Sequence, residues 1–194
     1  MRIQNLINGH LVDPIAGQWL DVRAPANGQV YASLANSDKS DVVRAVSAAE
    51  NAFPQWSNTT ITERSAILMK IAEAIEEKQD TLATAESTDN GKPLTLAKKV
   101  DIPRAAENFR FFAHAITQFS SESHESIGLH TINYTLRQPI GVVGCISPWN
   151  LPLYLFTWKI APALAAGNCV IAKPSEITPV TANMLGELCL KAGL

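Results

Sequence analysis

The stretch PIGVVGCISPWNLPLYLFTWKIAPALAAGNCVIAKPSEITP, residues 139–179, decides the fold. It begins with an apolar run of strand length, PIGVVGCIS, and continues into LPLYLFTWKIAPALAAG, which is long, apolar and compatible with a helix. NCVIAKPS predicts a second strand, and the segment that starts at Thr178 and Pro179 predicts a second, amphipathic helix. Strand, helix, strand, helix in this order is typical of a parallel, doubly wound α/β sheet.

Upstream of this stretch, the first part of the chain predicts hairpins and then a helix. Asn8-Gly9 lies between apolar residues, which is a strong hairpin signal because both turn positions need positive φ, and Asn27-Gly28 repeats it. Asp38 is the predicted N-cap of the first helix, which Pro54 should limit. An apolar stripe predicts the side of this helix that faces the core: Val42, Val43, Val46 and Ala49.

Two longer helical stretches follow. Thr60 and Glu63 have capping-box spacing and predict the start of a helix that Gly91 and Pro93 end. The apolar face of this helix consists of Ile67, Leu68, Ile71 and Ile75. The stretch from Leu94 to Phe119 also has a helical period, and Pro103 should kink or restart it.

A polar segment and a short alternating segment lie between these helices and the deciding stretch. SSESHESIG, residues 120–128, predicts a loop, and HTINYTLR, residues 130–137, predicts a half-exposed strand. The apolar residues that alternate in this strand are Ile132, Tyr134 and Leu136. Because a strand with an open edge needs a partner, we predict that it projects as an arm and pairs with another subunit.

Composition and charge exclude several classes of protein. Of the 194 residues, 46% are hydrophobic and 18% are charged, which is enough apolar material for one sizeable core. A net charge of −2 gives no basic excess for nucleic acid, and no apolar run is long enough to predict a membrane span. The first residues do not form a secretory signal, and three widely spaced cysteines fit a reducing compartment, so we expect a cytoplasmic protein.

The deciding stretch, together with ESTDNGKP at residues 86–93 and the DVVRAV…AFPQW helix, resembles the NAD(P)-dependent aldehyde dehydrogenase superfamily. The resemblance covers essentially the whole chain. DIPRAAENFRFFA, residues 101–113, and SPWNLPLYLFTWKIAPA, residues 147–163, are similar to the 2-hydroxymuconic and 2-aminomuconic semialdehyde dehydrogenase type. Family chains are much longer, so the resemblance implies the N-terminal portion of an aldehyde dehydrogenase fold, truncated before the catalytic domain.

The resemblance also implies how this α/β chain is divided. Residues 1–119 would hold the N-terminal strands and helices of the Rossmann-like cofactor-binding domain. Residues 120–137 would be the oligomerisation arm, and residues 138–194 the first βαβα unit of the NAD-binding sheet. We therefore expect a homo-oligomer, a dimer or a tetramer, for the whole enzyme.

Residues at the ends of the two predicted strands are the candidates for cofactor binding. Open α/β sheets bind ligands there, and Lys173 and Glu176 offer a donor and an acceptor that can reach a ribose diol. The alternative is an exposed ion pair at a strand end. Glu176 would repel a 2′-phosphate, which favours NAD over NADP. By resemblance, the adenosine ribose is held by Lys173, Ser175 and Glu176, and the cofactor cleft is lined by Ile146, Ser147, Pro148 and Trp149.

Asn150 and Lys159 are the candidate catalytic residues. Asn150 stands at a strand-to-helix junction, where a side-chain amide can donate to an oxygen that gains negative charge. By resemblance it helps to form the oxyanion hole; the alternative is an N-cap that only satisfies backbone donors. Lys159 is a lone cation on an apolar helix, and the resemblance implies a proton-relay or charge-tuning role near the catalytic thiol. The alternative is that its ammonium reaches solvent.

The chain has two further candidate sites, one for a cation and one for the substrate. By resemblance, Asp89 and the backbone carbonyls of Arg23 and Ile177 hold a monovalent cation, although Asp89 is also explained as a turn or cap residue. Arg104 follows Pro103 on the helix that flanks the substrate tunnel in the family, and a carboxylate on the substrate would pair with it. The alternative is a solvated arginine. Arg104 and Arg110 are six positions apart and should lie on different faces of the helix.

The resemblance implies NAD-dependent oxidation of an aldehyde, a carboxylate-bearing semialdehyde, to the carboxylic acid. The family's nucleophilic cysteine and general-base glutamate would lie beyond Leu194, so we expect the 194-residue chain alone to be inactive. Its own cysteines, in apolar surroundings, are expected to be small buried hydrophobes: Cys145, Cys169 and Cys189. The alternative is a non-catalytic fragment that binds a nucleotide or forms an oligomer.

Overall fold

A computed structural model describes residues 1–194, and its elements are numbered in chain order. The strands are β1 (Arg2–Ile3), β2 (Asn5–Ile7), β3 (His10–Val12), β4 (Trp19–Arg23), β5 (Val30–Ala35), β6 (Ser123–Ser126), β7 (Thr131–Tyr134), β8 (Val142–Ile146) and β9 (Cys169–Lys173). The helices are α1 (Lys39–Ser57), α2 (Ile61–Glu77), α3 (Gln79–Asn90), α4 (Leu94–Leu96), α5 (Ile102–Thr117), α6 (Pro152–Ala165) and α7 (Val180–Ala192).

The N-terminal strands form one small sheet and one separate hairpin. In the sheet, β5 lies between β1, to which it is parallel, and β4, to which it is antiparallel. The Asn8-Gly9 turn joins β2 to β3 with φ of 51° and 77°, which confirms the predicted hairpin. β4 and β5 also form the predicted hairpin, but through a longer loop, in which Gly28 has positive φ and the Asn27 side chain accepts a bond from the Gln29 N–H.

Helix α1 begins as predicted and differs in its end and its buried side. The Asp38 side chain caps it in a reciprocal capping box with Asp41. The prediction that Pro54 limits the helix is wrong, because the helix continues through Pro54 to Ser57. The predicted core stripe is also wrong at Val42 and Val43, which are more than half exposed. Helix α1 contacts β9 and β8, but Val42 lines an open groove between the helix and these strands, so its side chain stays accessible to solvent.

The long helix predicted to run to Gly91 is two helices. Thr60 and Glu63 form the predicted capping box at the start of α2, but α2 ends at Glu77 and α3 begins after Lys78. Gly91, at φ 80°, ends α3 in the left-handed conformation, as predicted. The expected apolar face is confirmed at Leu68, Ile71 and Ile75, which are completely buried against residues of α5 and α6 such as Phe109 and Leu153.

The third helical stretch contains a change of winding before Pro103. A π-helical turn, Ala97–Asp101, joins α4 to α5 without a break, so the chain does not restart its helix at Pro103, which lies in the first turn of α5. Asp101, at the end of the π turn, is buried and receives the Lys92 ammonium at 2.7 Å. The turn therefore places a carboxylate inside the protein where an ammonium neutralises it.

The segment predicted as a polar loop contains a strand. β6 pairs with β7 in antiparallel register, from Ser123 opposite Tyr134 to Ser126 opposite Thr131, and a 3₁₀ turn, Ile127–Leu129, joins them. The loop prediction was therefore wrong, because backbone pairing with β7, and not an apolar face, makes β6 a strand. Every residue of β7 is exposed, so the predicted half-exposed strand presents both faces to solvent.

The deciding stretch folds as predicted. β8 and β9 are parallel neighbours, in register from Val142 opposite Cys169 to Ile146 opposite Lys173, with α6 as the connection and α7 after β9. The main core is continuous from α2, α3 and α5 into α6, α7 and β8. No helix combines the length and the apolar character that a membrane crossing needs.

Candidate functional site

The carboxyl ends of β8 and β9 meet at one edge. The Ser147 N–H donates to the Lys173 carbonyl oxygen at 3.1 Å, so the two strand ends leave the sheet side by side. Ile146 and Trp149 expose 72% and 54% of their surface at this edge, while Ser147 is buried and its Oγ donates to the Leu155 carbonyl at 3.4 Å. Ile146 and Trp149 therefore form an exposed apolar wall, and the hydrogen bonds of Ser147 hold the backbone between them in place.

Polar groups stand beside this wall. The Lys173 ammonium contacts the Glu176 carboxylate at 2.9 Å, and both side chains are more than half exposed. Two hydrogen bonds lower the pKa of the Glu176 carboxyl. The larger effect comes from its own backbone N–H, and the smaller one from Lys173. Ser175 is buried and accepts the Ile177 N–H at 3.2 Å, so it shapes the turn. An exposed donor and acceptor next to apolar surface fit an adenosine group; their role in binding a cofactor stays a prediction.

Asn150 lies in the turn between β8 and α6 and is exposed. The interpretation of Asn150 as a helix cap is wrong, because the cap residue is Leu151 and no side chain caps α6. Pro152 occupies the first turn, where its missing N–H costs nothing. The Asn150 amide is therefore not used for capping and stands beside the first N–H groups of a helix.

The C-terminal half of α3 contacts both sides of Asn150. The Asn90 Nδ2 donates to the Trp149 carbonyl oxygen at 2.8 Å, and the Leu153 N–H donates to the Glu86 carboxylate at 3.3 Å. Sequence reasoning assigned neither residue to the site. The only signal in the sequence was their spacing of four in ESTDN, which places both on one face of a helix.

Glu86 belongs to a buried charged cluster. Its carboxylate accepts a bond from the Thr181 hydroxyl at 3.1 Å and contacts the Lys92 ammonium at 3.3 Å. Burial raises the pKa of the Glu86 carboxyl, and the Lys92 charge opposes that effect. The same ammonium contacts Asp101 at 2.7 Å, so one cation serves two buried carboxylates.

Lys159 is half-buried on α6 and forms no ion pair. Its backbone carbonyl accepts a weak bond from the Cys145 thiol at 3.7 Å. Burial raises the pKa of Cys145, against a smaller lowering by the Lys159 charge. Burial also raises the pKa of Cys169, and that of Cys189 to about 12. None of the three thiols is in a setting that produces a thiolate at neutral pH.

Asp89 is completely buried in the last turn of α3, so it is not a turn residue. Its carboxylate accepts bonds from the Tyr31 hydroxyl and from the Val180 N–H, the latter at 2.9 Å. Burial raises the pKa of Asp89 to about 6, although both hydrogen bonds oppose this. A monovalent cation held by Asp89 and the backbone carbonyls of Arg23 and Ile177 would bind carboxylate oxygens that already accept two hydrogen bonds. This cation site stays a prediction.

Arg104 stands on the outer side of α5, facing Tyr154 of α6. Its guanidinium lies 5.3 Å from the centre of the Tyr154 ring, and one NH donates to the Tyr154 hydroxyl at 3.3 Å. Arg110 instead contacts Glu76 of α2 at 2.8 Å, which confirms that the two arginines face different ways. Aromatic rings continue from Tyr154 along the same surface: Trp158, Phe112 and Phe111.

A parallel strand pair whose carboxyl ends meet at one open edge defines an α/β protein of the class that binds ligands at such an edge. The sequence pattern described as the Aldehyde dehydrogenase family matches residues 12–194, and the chain belongs to this family. The 2-aminomuconic semialdehyde dehydrogenase of Bos taurus is 49% identical over all of this chain, and the 2-hydroxymuconic semialdehyde dehydrogenase of Pseudomonas sp. (strain CF600) is 44% identical. The chain spans 39% and 40% of the length of these two relatives.

Solved structures agree in fold. The crystal structure of PnpE in complex with nicotinamide adenine dinucleotide has a TM-score of 0.95 at 40% identity, over all of this chain and 40% of that one. The crystal structure of an NADP-dependent enzyme of E. coli also has a TM-score of 0.95, at 36% identity and the same coverage. The chain therefore has the fold of the N-terminal part of aldehyde dehydrogenases.

Proposed function

We propose that this chain supplies the cofactor-binding part of an NAD-dependent aldehyde dehydrogenase that oxidises a carboxylate-bearing semialdehyde. The observation that carries the proposal is the common edge of β8 and β9, where an exposed donor and acceptor, an apolar wall and a free asparagine amide meet. The relatives named after muconic semialdehydes support the substrate class.

The strand ends would hold the cofactor. Lys173 and Glu176 bind a ribose diol, Ser175 keeps their turn in place, and the adenosine group lies on the exposed Ile146 and Trp149. The cofactor, when bound, supplies the hydride acceptor. The Glu176 carboxylate repels a 2′-phosphate, which favours NAD. One similar structure is a complex with nicotinamide adenine dinucleotide and another is an NADP-dependent enzyme. The preference for NAD over NADP therefore rests on the charge of Glu176 and not on the fold.

Asn150 would act on the substrate. Its amide and a neighbouring backbone N–H at the start of α6 donate to the aldehyde oxygen when that oxygen gains negative charge. Lys159, half-buried on the next turns of the same helix, would tune charge near the reacting thiol. Neither role requires that the thiol come from Cys145, Cys169 or Cys189.

Arg104 would select the substrate. A guanidinium presented on an exposed surface lined with aromatic rings suits a substrate that carries a carboxylate and a conjugated chain. Tyr154 keeps the guanidinium in place through its ring and its hydroxyl. The alternative of a freely solvated arginine has less support, because the side chain has a defined partner.

The test is Arg104→Ala in a catalytically active form of the protein that contains residues 1–194. We expect the kcat/KM for carboxylate-bearing aldehydes to fall by a factor equivalent to about 2–5 kcal/mol of transition-state stabilisation, because a charge-assisted pair is lost. Values for simple alkyl aldehydes should stay the same. Arg110→Ala, on the same helix but facing α2, is the matched control and should leave the preference unchanged. Equal kinetics of Arg104→Ala and the parent on both substrate types would refute the substrate proposal.

A further inference from the structure

The segment that carries Asn150 has little support of its own. It lies outside β8 and α6, its Trp149 and Asn150 are exposed, and no side chain of its own caps α6. Proline residues at positions 148 and 152 give the segment no N–H of their own at those positions. Ser147 holds the start of the segment through its bonds to Lys173 and Leu155, and the support around Asn150 itself comes from another element.

Helix α3 supplies two contacts, one on each side of Asn150. Asn90 binds the carbonyl of the preceding residue, Trp149, at 2.8 Å. Glu86 accepts the N–H of Leu153, one of the N–H groups that a helix start leaves without an internal partner, at 3.3 Å. Because Glu86 and Asn90 are four residues apart, they project from one face of α3.

Both groups are themselves fixed. Glu86 is completely buried and is also bound by Lys92 and Thr181. Asn90 is the last residue of α3 and precedes Gly91, where a Cβ would approach the Pro25 side chain to 3.0 Å. Glu86 cannot move far without disturbing its buried partners, and Asn90 is held by its place in the last turn of α3. The two hydrogen bonds therefore join the exposed turn to α3, a helix that packs into the main core.

We infer that Asn90 and Glu86 are positioning residues that hold the Trp149–Leu153 segment at both ends and so fix the direction of the Asn150 amide. The inference rests on the proposed role of Asn150 as a donor to the substrate oxygen. Neither α3 residue touches substrate. Their effect is on orientation, and small misplacements of a donor reduce the rate of the chemical step more than they reduce binding.

The test uses Asn90→Ala in an active form of the protein that contains residues 1–194. We expect kcat to fall about tenfold, with KM for the aldehyde and for NAD nearly unchanged. Asn58→Ala is the matched control, because Asn58 also lies at the C-terminal end of a helix and its Nδ2 donates to a backbone carbonyl, that of Pro54, at 2.7 Å. The Asn58→Ala variant should have the same kcat as the parent. Asn90 is preferred to Glu86 because its removal leaves no buried ion without a partner.

A double-mutant cycle with Asn150→Ala decides whether Asn90 acts through Asn150. Removal of an oxyanion donor should lower kcat about 10²–10³-fold, and Asn90→Ala should then add nothing in the Asn150→Ala background. Equal losses from Asn90→Ala in both backgrounds, or parental kcat in Asn90→Ala alone, would overturn the inference. Parental kcat in Asn150→Ala would overturn the proposed role of Asn150 instead, together with what depends on it.

Discussion

At the scale of single residues, Asp89 is the side chain with the most unusual surroundings. One carboxylate joins Tyr31 of β5 to the first N–H of α7 and is itself part of α3. Burial raises its pKa from 3.8 to about 6. A raised pKa means that the folded chain binds the proton more tightly than the unfolded chain. This contribution to stability is therefore complete below pH 3.8 and is lost as the pH rises through about 6.

Asp89→Asn should remove this pH dependence. The free energy of unfolding of Asp89→Asn minus that of the parent should increase by about 1–3 kcal/mol from pH 4 to pH 7. The loss of a hydrogen-bond acceptor shifts this difference by the same amount at every pH and does not change the increase. Urea titrations at several pH values measure the difference. Asp80→Asn, which replaces an exposed carboxylate on the same helix, is the control. A difference between Asp89→Asn and the parent that is flat with pH would show that Asp89 has its ordinary pKa.

At the scale of elements, the sequence predicts best where local chemistry is sufficient. The caps at Asp38 and Thr60, the turn at Asn8-Gly9 and the stop at Gly91 depend on residues a few positions apart, and all four are confirmed. The break at Lys78 has no comparable signal, because no Gly or Pro marks it. β6 could not be predicted either, since its pairing partner, and not its own composition, makes it a strand.

The β6–β7 hairpin has the composition of an interface without a partner in this chain. Ile132 and Tyr134 are largely exposed on β7, and the flanking residues Ile127, Leu129 and Leu136 are exposed as well. Isolated two-stranded hairpins are marginal in water, and long exposed apolar residues on them indicate a contact with another molecule. A second subunit of the same protein is the partner that we predict.

Ile132→Glu should therefore reduce the size of the assembly formed by an active protein that contains residues 1–194. A buried, unpaired carboxylate at a subunit contact is costly, whereas the same residue in solvent is not. Sedimentation velocity measures the assembly, and circular dichroism shows whether the subunit still folds. Asn133→Glu is the control, because Asn133 is the next residue on the same strand and points to the opposite face. If Ile132→Glu forms an assembly of unchanged size, the prediction that the β6–β7 hairpin contacts another subunit is wrong.

At the scale of the whole molecule, the site was predictable in part. The rule that ligands bind at the carboxyl ends of parallel strands selects the region of residues 146–149 and 173–176, and the structure brings these two segments together. Asn90 and Glu86 could not be found in this way, because their contacts join positions 59 and 67 apart in the chain. Tyr154 was missed for the same reason, with Arg104 50 positions away.

The three thiols give a prediction for the chain of 194 residues. Because burial raises the pKa of all three, the folded chain should react slowly with a thiol reagent such as DTNB and rapidly after denaturation. For the same reason it should form no NADH from NAD and an aldehyde. NADH formation by the purified chain that is abolished by Cys145→Ser would contradict this prediction and would assign the nucleophile to β8.

The π turn between α4 and α5 has a consequence for how this part of the sequence tolerates length changes. A π turn holds one residue more than an α turn in the same rise, so the residues before and after Ala97–Asp101 are out of phase on a helical wheel. Deletion of one residue there would restore a regular helix and rotate the preceding segment by about 100° relative to α5. Lys92 would then turn away from Asp101, and two interior carboxylates would lose their common counterion.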